Sequence, residues 1–578
     1  MRSVIGEIVD EKTIQDRRWA ILGVLVICLL VVILDNTILN VALKTIQEDL
    51  DASQSQMQWA VDAYALVFAG LLITWGVLGD RFGRKKVLLL GMVLFGATSA
   101  LCSFASSPGT LILFRALMGV GAAAVQPQTL SIIQNVFAPK ERAKAIGIWA
   151  GASGMAIALG PIAGGVLIKY FWWGSVFLVN VPIVIVGVIA ILILVPDSKN
   201  PHPQRLDPMG VLLSIVALVV LVFGIIQGGN TNDWLAWNSL GAIVLGLSLL
   251  ALFVYTQKRS THPTIDVNLF RNRYFSAGTI SIGLTFFALM GSTFYLAYFL
   301  QAVRGYTALA AGVALIAVAA GVMIAAPLSA RLSARFGPRV VAGAGLTIFG
   351  TAMLSYAFAS RTEPQWIIEI QMYAMGTGMG LTMTPATNSI MSAVPREKAG
   401  GGAAVNNTVR QVAGALGVAI LGSLLAVVFR NQLGADRPAQ LAASLDQPAT
   451  VVSRMPASAQ VASNVRKDSS ESIGGALEFA GKAGAALQER ASDPAAARLS
   501  PQQVAAARGR AQSAIGGFVE ESKDAFVVAM RVTSGVAGGF ALVGSIVAFT
   551  FLPGRREFAE YAAGGAAAPA ADEPALVH

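Results

Sequence analysis

Six ionisable residues interrupt otherwise apolar stretches of the chain: Asp35, Asp62, Arg115, Glu369, Arg410 and Arg531. A charge inside an apolar helix is costly, so each is a functional candidate by default. Asp35, Asp62 and Arg115 offer a definite chemistry. Burial disfavours an ionised carboxyl and a nearby cation restores it. A carboxyl under that competition can load a proton on one side of a barrier and release it on the other. The rival reading is a fixed ion pair that locks helices together. Polar side chains in the same stretches, Asn36, Asn40, Gln126, Gln128, Asn388, Asn406, Asn407 and Gln411 together with Arg410, are candidates for lining a central cavity. Tyr64, Trp149, Phe286, Phe287, Phe294 and Tyr298 are candidates for aromatic surfaces within it.

Other chemistries lack their residues. Cys28 and Cys102 sit inside apolar runs, and His202, His262 and His578 in loops or at the terminus. Neither a disulfide framework nor a metal spacing results. No Walker-type phosphate loop occurs, so neither nucleotide hydrolysis nor a cofactor is expected. The chain reads as a transporter and not an enzyme.

The elements carrying these residues are membrane helices. Of 578 residues 55% are hydrophobic and 13% charged, against about 25% charged in soluble domains; the mean hydropathy is +0.64. Apolar runs recur at roughly 20 residues, the length that crosses about 30 Å of hydrocarbon as a helix. The expected architecture is all-α and polytopic, with fourteen spans: 19–43, 57–78, 87–106, 109–134, 143–168, 174–195, 208–227, 236–256, 274–300, 307–330, 340–358, 365–393, 403–429 and 525–552. No cleavage site follows the first apolar run, which reads as a span with a retained N-terminus. Alternate loops are rich in Lys and Arg, as in Arg81, Arg84, Lys85 and Lys86, while the short intervening loops hold little beyond Lys44, Lys169, Arg304 and Arg361. The positive-inside rule then places both termini in the cytoplasm. It also explains the net charge of +10 without nucleic acid as a partner. On this topology Asp35 lies roughly 12 Å inside the outer end of span 1, and Asp62 and Arg115 roughly 8–9 Å inside spans 2 and 4.

An internal repeat organises the spans. GDRFGRKK at 79–86 is echoed by SARFGPRV at 333–340, and Met118-Gly-Val-Gly121 with Pro127 and Ser131 by Met375-Gly-Thr-Gly378 with Pro385 and Ser389. Both echoes step by eight spans, so spans 7 and 8 read as inserted between two homologous six-span halves, the parallel-repeat plan of many transporters. The expected division is a cytoplasmic N-terminus at 1–18, a six-helix bundle at 19–195, the inserted pair at 208–256, and a second bundle at 274–552 interrupted by an extracytoplasmic loop at 430–523. The tail at 553–578 reads as disordered. The inserted pair is expected outside both bundles.

Three motifs carry a family resemblance. Gly76-Val-Leu-Gly-Asp80-Arg81-Phe-Gly83-Arg84-Lys85-Lys86 resembles the loop 2–3 signature of the major facilitator superfamily, with Asp80 placed to meet arginines and the positive end of a helix in the other half. Gly147, Gly151, Gly154 and Gly160-Pro161-Ile-Ala-Gly164-Gly165 resemble the superfamily's antiporter motif, with Ala156 at a position usually glycine. Leu34-Asp35-Asn36-Thr37 through Leu43, FLVNVPI at 177–183 and NNTVRQVAGALGV at 406–418 resemble the fourteen-span drug:proton antiporters of the EmrB/QacA-like branch. The resemblance implies a major facilitator fold in the cell membrane and export of small amphipathic or cationic compounds against inward proton flow. It implicates Arg115 in proton coupling, and implies protons, a small-molecule substrate and lipid as partners, with the proton-motive force in place of a cofactor and a functional monomer. A dedicated exporter of one metabolite, such as an antibiotic or siderophore, and a non-transporting membrane sensor remain as alternatives.

Segment 430–523 is rich in Ala, Ser, Gln and Arg without a 20-residue apolar run, and its end, from 500 to 526, has helical propensity. Because the motifs lie elsewhere, deleting 440–515 should leave membrane insertion and proton-driven efflux largely intact. Loss of efflux at normal surface expression would contradict this.

Overall fold

The computed structural model describes residues 2–52, 54–199, 207–231, 233–260, 267–395, 398–434 and 501–562, with isolated residues 263, 437, 440, 441, 476, 477 and 480. Among them the regular structure is all helical. In chain order the first half is α1 (Arg2–Asp49), α2 (Gln54–Phe82), α3 (Arg84–Ser103), α4 (Pro108–Val136), α5 (Pro139–Tyr170), α6 (Ser175–Leu178) and α7 (Asn180–Leu194). Then come α8 (Pro208–Thr231) and α9 (Ala242–Arg259). The second half is α10 (Arg273–Tyr298), α11 (Ala308–Ala314), α12 (Ile316–Phe336), α13 (Pro338–Ser355), α14 (Gln365–Ser392), α15 (Ala399–Leu433) and α16 (Pro501–Phe551), with a short α17 (Arg555–Ala562).

Local sequence sets the helix ends. Ser107 caps α4 in a reciprocal capping box with Thr110, ahead of Pro108 in the first turn. Asn272 caps α10 by accepting from the Tyr274 N–H at 2.9 Å. Gly83 separates α2 from α3 at φ +112°, a backbone state that glycine alone adopts without strain.

Twelve helical segments among the described residues are long and apolar enough to cross a membrane. The helices α5 and α14, of 32 and 28 residues, fall outside that set. The reason for α14 is visible in its burial. Every residue from Gly378 to Met391 is buried against other helices, so glycine and threonine replace the leucine and valine of lipid-facing helices.

The structure corrects several expected boundaries. The sixth span is broken at Val179 into α6 and α7, and the tenth at Leu315 into α11 and α12. The tail expected to be disordered begins with the helix α17, which is joined to α10 by an Arg273–Glu557 ion pair of 2.6 Å; residues 563–578 lie outside the described set. Helix α16 begins at Pro501, well inside the expected loop. Arg361 bonds to Glu520 and to Asp524 of that helix, the latter at 2.9 Å. Most of 442–500 lies outside the described residues.

Helix contacts recur with the eight-span step. α2 packs on α4 as α12 does on α14, α3 on α4 as α13 on α14, α1 on α5 as α10 on α15, and α3 on α7 as α13 on α16. Between the halves, α5 packs on α12 and α2 on α15. α8 lies against α2 and α15, and α9 packs on α8, leaving Val244, Leu245 and Leu247 exposed.

The two halves touch closely where α2 meets α15. A Cβ at Gly76 would stand 2.5 Å from the Gly400 carbonyl oxygen and 2.6 Å from the Ala404 Cβ. Gly76→Val should therefore hold this end of the interface apart, since overpacking of roughly 1–3 kcal/mol shifts a two-state equilibrium by about 5- to 150-fold. A cysteine at position 401 should then react faster with a membrane-impermeant maleimide supplied on the Arg84 side. Unchanged labelling would refute the contact's role in closure.

Candidate functional site

Inside the first half, α1 and α4 bring Asp35 and Arg115 together. Arg115 Nη1 lies 2.6 Å from Asp35 Oδ2, and the two side chains are 0% and 1% exposed. The other Asp35 oxygen accepts from Asn180 Nδ2 of α7 at 2.9 Å, and that nitrogen also reaches Ser99 Oγ of α3 at 3.1 Å. Arg115 Nε donates to the Ala60 carbonyl of α2 at 3.2 Å, and the guanidinium sits 4.3 Å over the Tyr64 ring. Arg115 Nη2 has no hydrogen-bond partner among the described residues. One carboxylate thus ties together groups from five helices. Removing either charge would leave the other buried and uncompensated, at a cost of about 3–5 kcal/mol.

Asp62 lies on α2 two residues beyond Ala60 and is half-buried. It is not among the hydrogen-bond partners of Asp35 or Arg115, so the structure brings together two of the three expected coupling residues. Asn180 and Ser99 were not singled out from sequence. The signals for Asn180 were its amide in the apolar run LVNVPIVIV and its place in the FLVNVPI motif at 177–183.

A second acid joins the halves. Asp80 Oδ1 accepts from Arg84 Nε at 2.8 Å and Nη2 at 2.6 Å, across the Gly83 turn. The same carboxylate accepts from the backbone N–H groups of Gly400 at 2.9 Å and Gly401 at 3.1 Å, in the first turn of α15. Those N–H groups have no partner within their own helix, and the helix dipole favours an anion there. Near the same end, Gln134 Nε2 of α4 donates to the Met391 carbonyl at 2.7 Å. Arg81 is half-buried, 5.7 Å from the Phe82 ring.

Along α5, Gly147 stands against Ala326 and Pro327 of α12, where a Cβ would fall 2.7 Å from the Ala326 carbonyl oxygen. Gly160 faces Thr37 of α1, whose hydroxyl donates to the Leu34 carbonyl at 3.0 Å. Gly164 is buried and Gly165 half-buried; the Pro161 side chain lies outside the described set.

Between α5, α10, α12 and α14 lies an apolar cavity lined by Gly154, Met290, Thr293, Leu315, Val318 and Met379. None of the polar candidates lines it. Asn406, Asn407 and Arg410 are buried on α15, Gln126 and Gln411 are half-buried, Asn36 is exposed, and the Asn40 side chain lies outside the described set.

The chain matches the Major Facilitator Superfamily over residues 25–418. It is 35% identical to the multidrug efflux pump LfrA of Mycolicibacterium smegmatis over 74% of this chain and 84% of that protein. It is 33% identical to the methyl viologen resistance protein SmvA of Salmonella typhimurium over 72% and 83%, and 32% identical to a tetracenomycin C resistance and export protein of Streptomyces glaucescens over 72% and 77%. Among solved structures, it is similar to the human organic anion transporter MFSD10 at a TM-score of 0.52, with 13% identity over 70% of this chain and 93% of that one. A bacterial homologue of the lysosomal transporter Spinster gives 0.50, with 19% identity over 92% and 97%. These last two likenesses speak to fold alone. The chain therefore belongs to the major facilitator superfamily, and within it to the multidrug efflux and resistance proteins.

Proposed function

We propose that this multi-pass membrane protein is a proton-coupled antiporter that exports small amphipathic compounds, cationic ones among them, drawing on the proton-motive force and no cofactor. The observation that carries the reading is the sealed Asp35–Arg115 pair with its contacts on five helices. Protonating Asp35 would remove one charge of the pair and free Arg115, so one proton would change the contacts among α1, α2, α4 and α7 together. That is the link a coupled transporter needs between proton occupancy and helix arrangement. The glycine contacts of α5 with α12 and of α2 with α15 supply closely fitted surfaces on which the halves would rock.

In this reading α5 and α14 join the twelve apolar segments as spans, giving fourteen. The halves are 19–195 and 274–552, with α8 and α9 as the inserted pair. The end carrying Asp80, Arg81 and Arg84 is cytoplasmic, as are both termini, and the Asp80 contact with α15 acts as the inner gate. The monomer is the working unit. The drug-resistance names of the relatives support export of small compounds. An exporter dedicated to one metabolite is the second reading, favoured by the tetracenomycin C export protein among those relatives.

Asp35 is assigned the obligatory proton, and Asp62 a substrate-charge or second-proton role. Asp35→Asn and Asp62→Asn would be compared in vesicles with the pH gradient and the membrane potential set separately. Asp35→Asn should abolish proton-driven efflux of every substrate, while Asp62→Asn should impair mainly cationic or divalent ones. Coupled transport at the unsubstituted rate by Asp35→Asn would overturn the assignment.

A further inference from the structure

Helix α15 holds a buried cation that no anion in the described structure balances. Arg410 is 8% exposed. Among the described residues its one hydrogen bond is a long one, from Nη1 to Asn407 Oδ1 at 3.5 Å, and no carboxylate reaches it. Its guanidinium lies 4.4 Å from the Phe286 ring of α10 and 5.3 Å from the Trp149 ring of α5. Cation–π contact steadies the charge but satisfies none of its N–H donors. By contrast, Arg84 and Arg115 each hold a carboxylate.

Two more donors share the same helix face. Asn406 and Asn407 precede Arg410 by four and three residues, the spacing of neighbours on a helix surface. They are 0% and 1% exposed, and the Nδ2 atoms of both have no acceptor among the described residues. The face adjoins the apolar cavity. Gly414, one turn beyond Arg410, is packed against Met290, where a Cβ would meet Met290 Cγ at 3.0 Å. Met290 and Gly154, which line the cavity, follow Phe286 and Trp149 by about one turn on their own helices. The donors therefore lie next to the cavity and between the halves, with aromatic faces from each half on either side.

We propose that Arg410, with Asn406 and Asn407, binds the oxyanion of an acidic amphipathic substrate between the halves, its aromatic body lying against Trp149 and Phe286. A carboxylate or sulfonate supplies the charge that Arg410 lacks, and the planar guanidinium fork suits two oxygens at once. The inference rests on the export reading and adds acidic amphipathic compounds to the substrates proposed for it.

The test is equilibrium binding of 1-pyrenebutyrate and of the neutral 1-pyrenebutanol to purified full-length protein in non-ionic detergent. No gradient is present, so a failure of proton coupling does not affect the outcome, and a failure here leaves the coupling assignment standing. The unsubstituted protein should prefer the carboxylate by about tenfold or more, the scale of a charged hydrogen bond, and Arg410→Gln should remove that preference while holding the alcohol within about twofold. Arg410→Lys should restore part of it, because a charge returns without the fork. Should Arg410→Gln fail to fold, the ratio in the unsubstituted protein and its narrowing in Asn406→Ala decide the matter. Equal affinity for the two probes in the unsubstituted protein, or a preference that survives Arg410→Gln, would overturn the proposal.

Discussion

The first half of this molecule encloses a fully buried ion pair, Asp35 and Arg115, held 2.6 Å apart and away from water. Two opposite charges in an apolar interior are tolerable only as a pair with their remaining valences satisfied. The neighbours supply most of this: Asn180 on the carboxylate, the Ala60 carbonyl on the guanidinium, and the Tyr64 face over it, leaving only Arg115 Nη2 without a partner among the described residues. Five helices are held to one another by what happens to a single carboxyl. A lone carboxyl in lipid or an exposed ion pair in water would have no comparable reach.

Charge satisfaction also distinguishes the other buried arginines. Arg84 is met by Asp80, whose second obligation is to two backbone N–H groups at the start of α15, so the Asp80 carboxylate joins the halves. Close approach there requires the absence of a side chain at Gly76, just as Gly147 is required for α5 to meet α12. Arg410 follows neither pattern. It sits between rings of the two halves with its donors open. Arg115 and Arg84 thus each pair with a carboxylate of their own half, whereas no carboxylate meets Arg410 among the described residues.

Much of the fold was legible in the sequence because a membrane allows few solutions. Hydrocarbon demands internally satisfied backbone, so apolar runs of about 20 residues had to be helices. The eight-span echoes of RFG and of MGxG anticipated the recurrence of helix contacts, since similar glycine patterns permit similar close packing. Asp80 with Gly83 and Arg84 was also readable, its residues being local in sequence. The start of the tail was misread because composition alone hid the packing of α17 on α12, α13 and α5 and its ion pair from Glu557 to Arg273. The breaks at Val179 and Leu315 interrupt apolar stretches that hydropathy sees as continuous.

By itself, then, the sequence determined a polytopic helical membrane protein, its repeat, and which ionisable residues lie in apolar surroundings. Hydrophobicity and helix period are properties of neighbouring residues, and they survive without knowledge of the partners. Only the tertiary structure decided which charges meet. Expected depth grouped Asp35, Asp62 and Arg115, which are far apart along the chain, and only the folded helices show that the direct pair is Asp35 with Arg115. Asn180 entered the site for the same reason, because α7 folds back across α1 and α3. Asp62, alike in type and expected depth, shares its helix with the Ala60 carbonyl and the Tyr64 ring that meet Arg115.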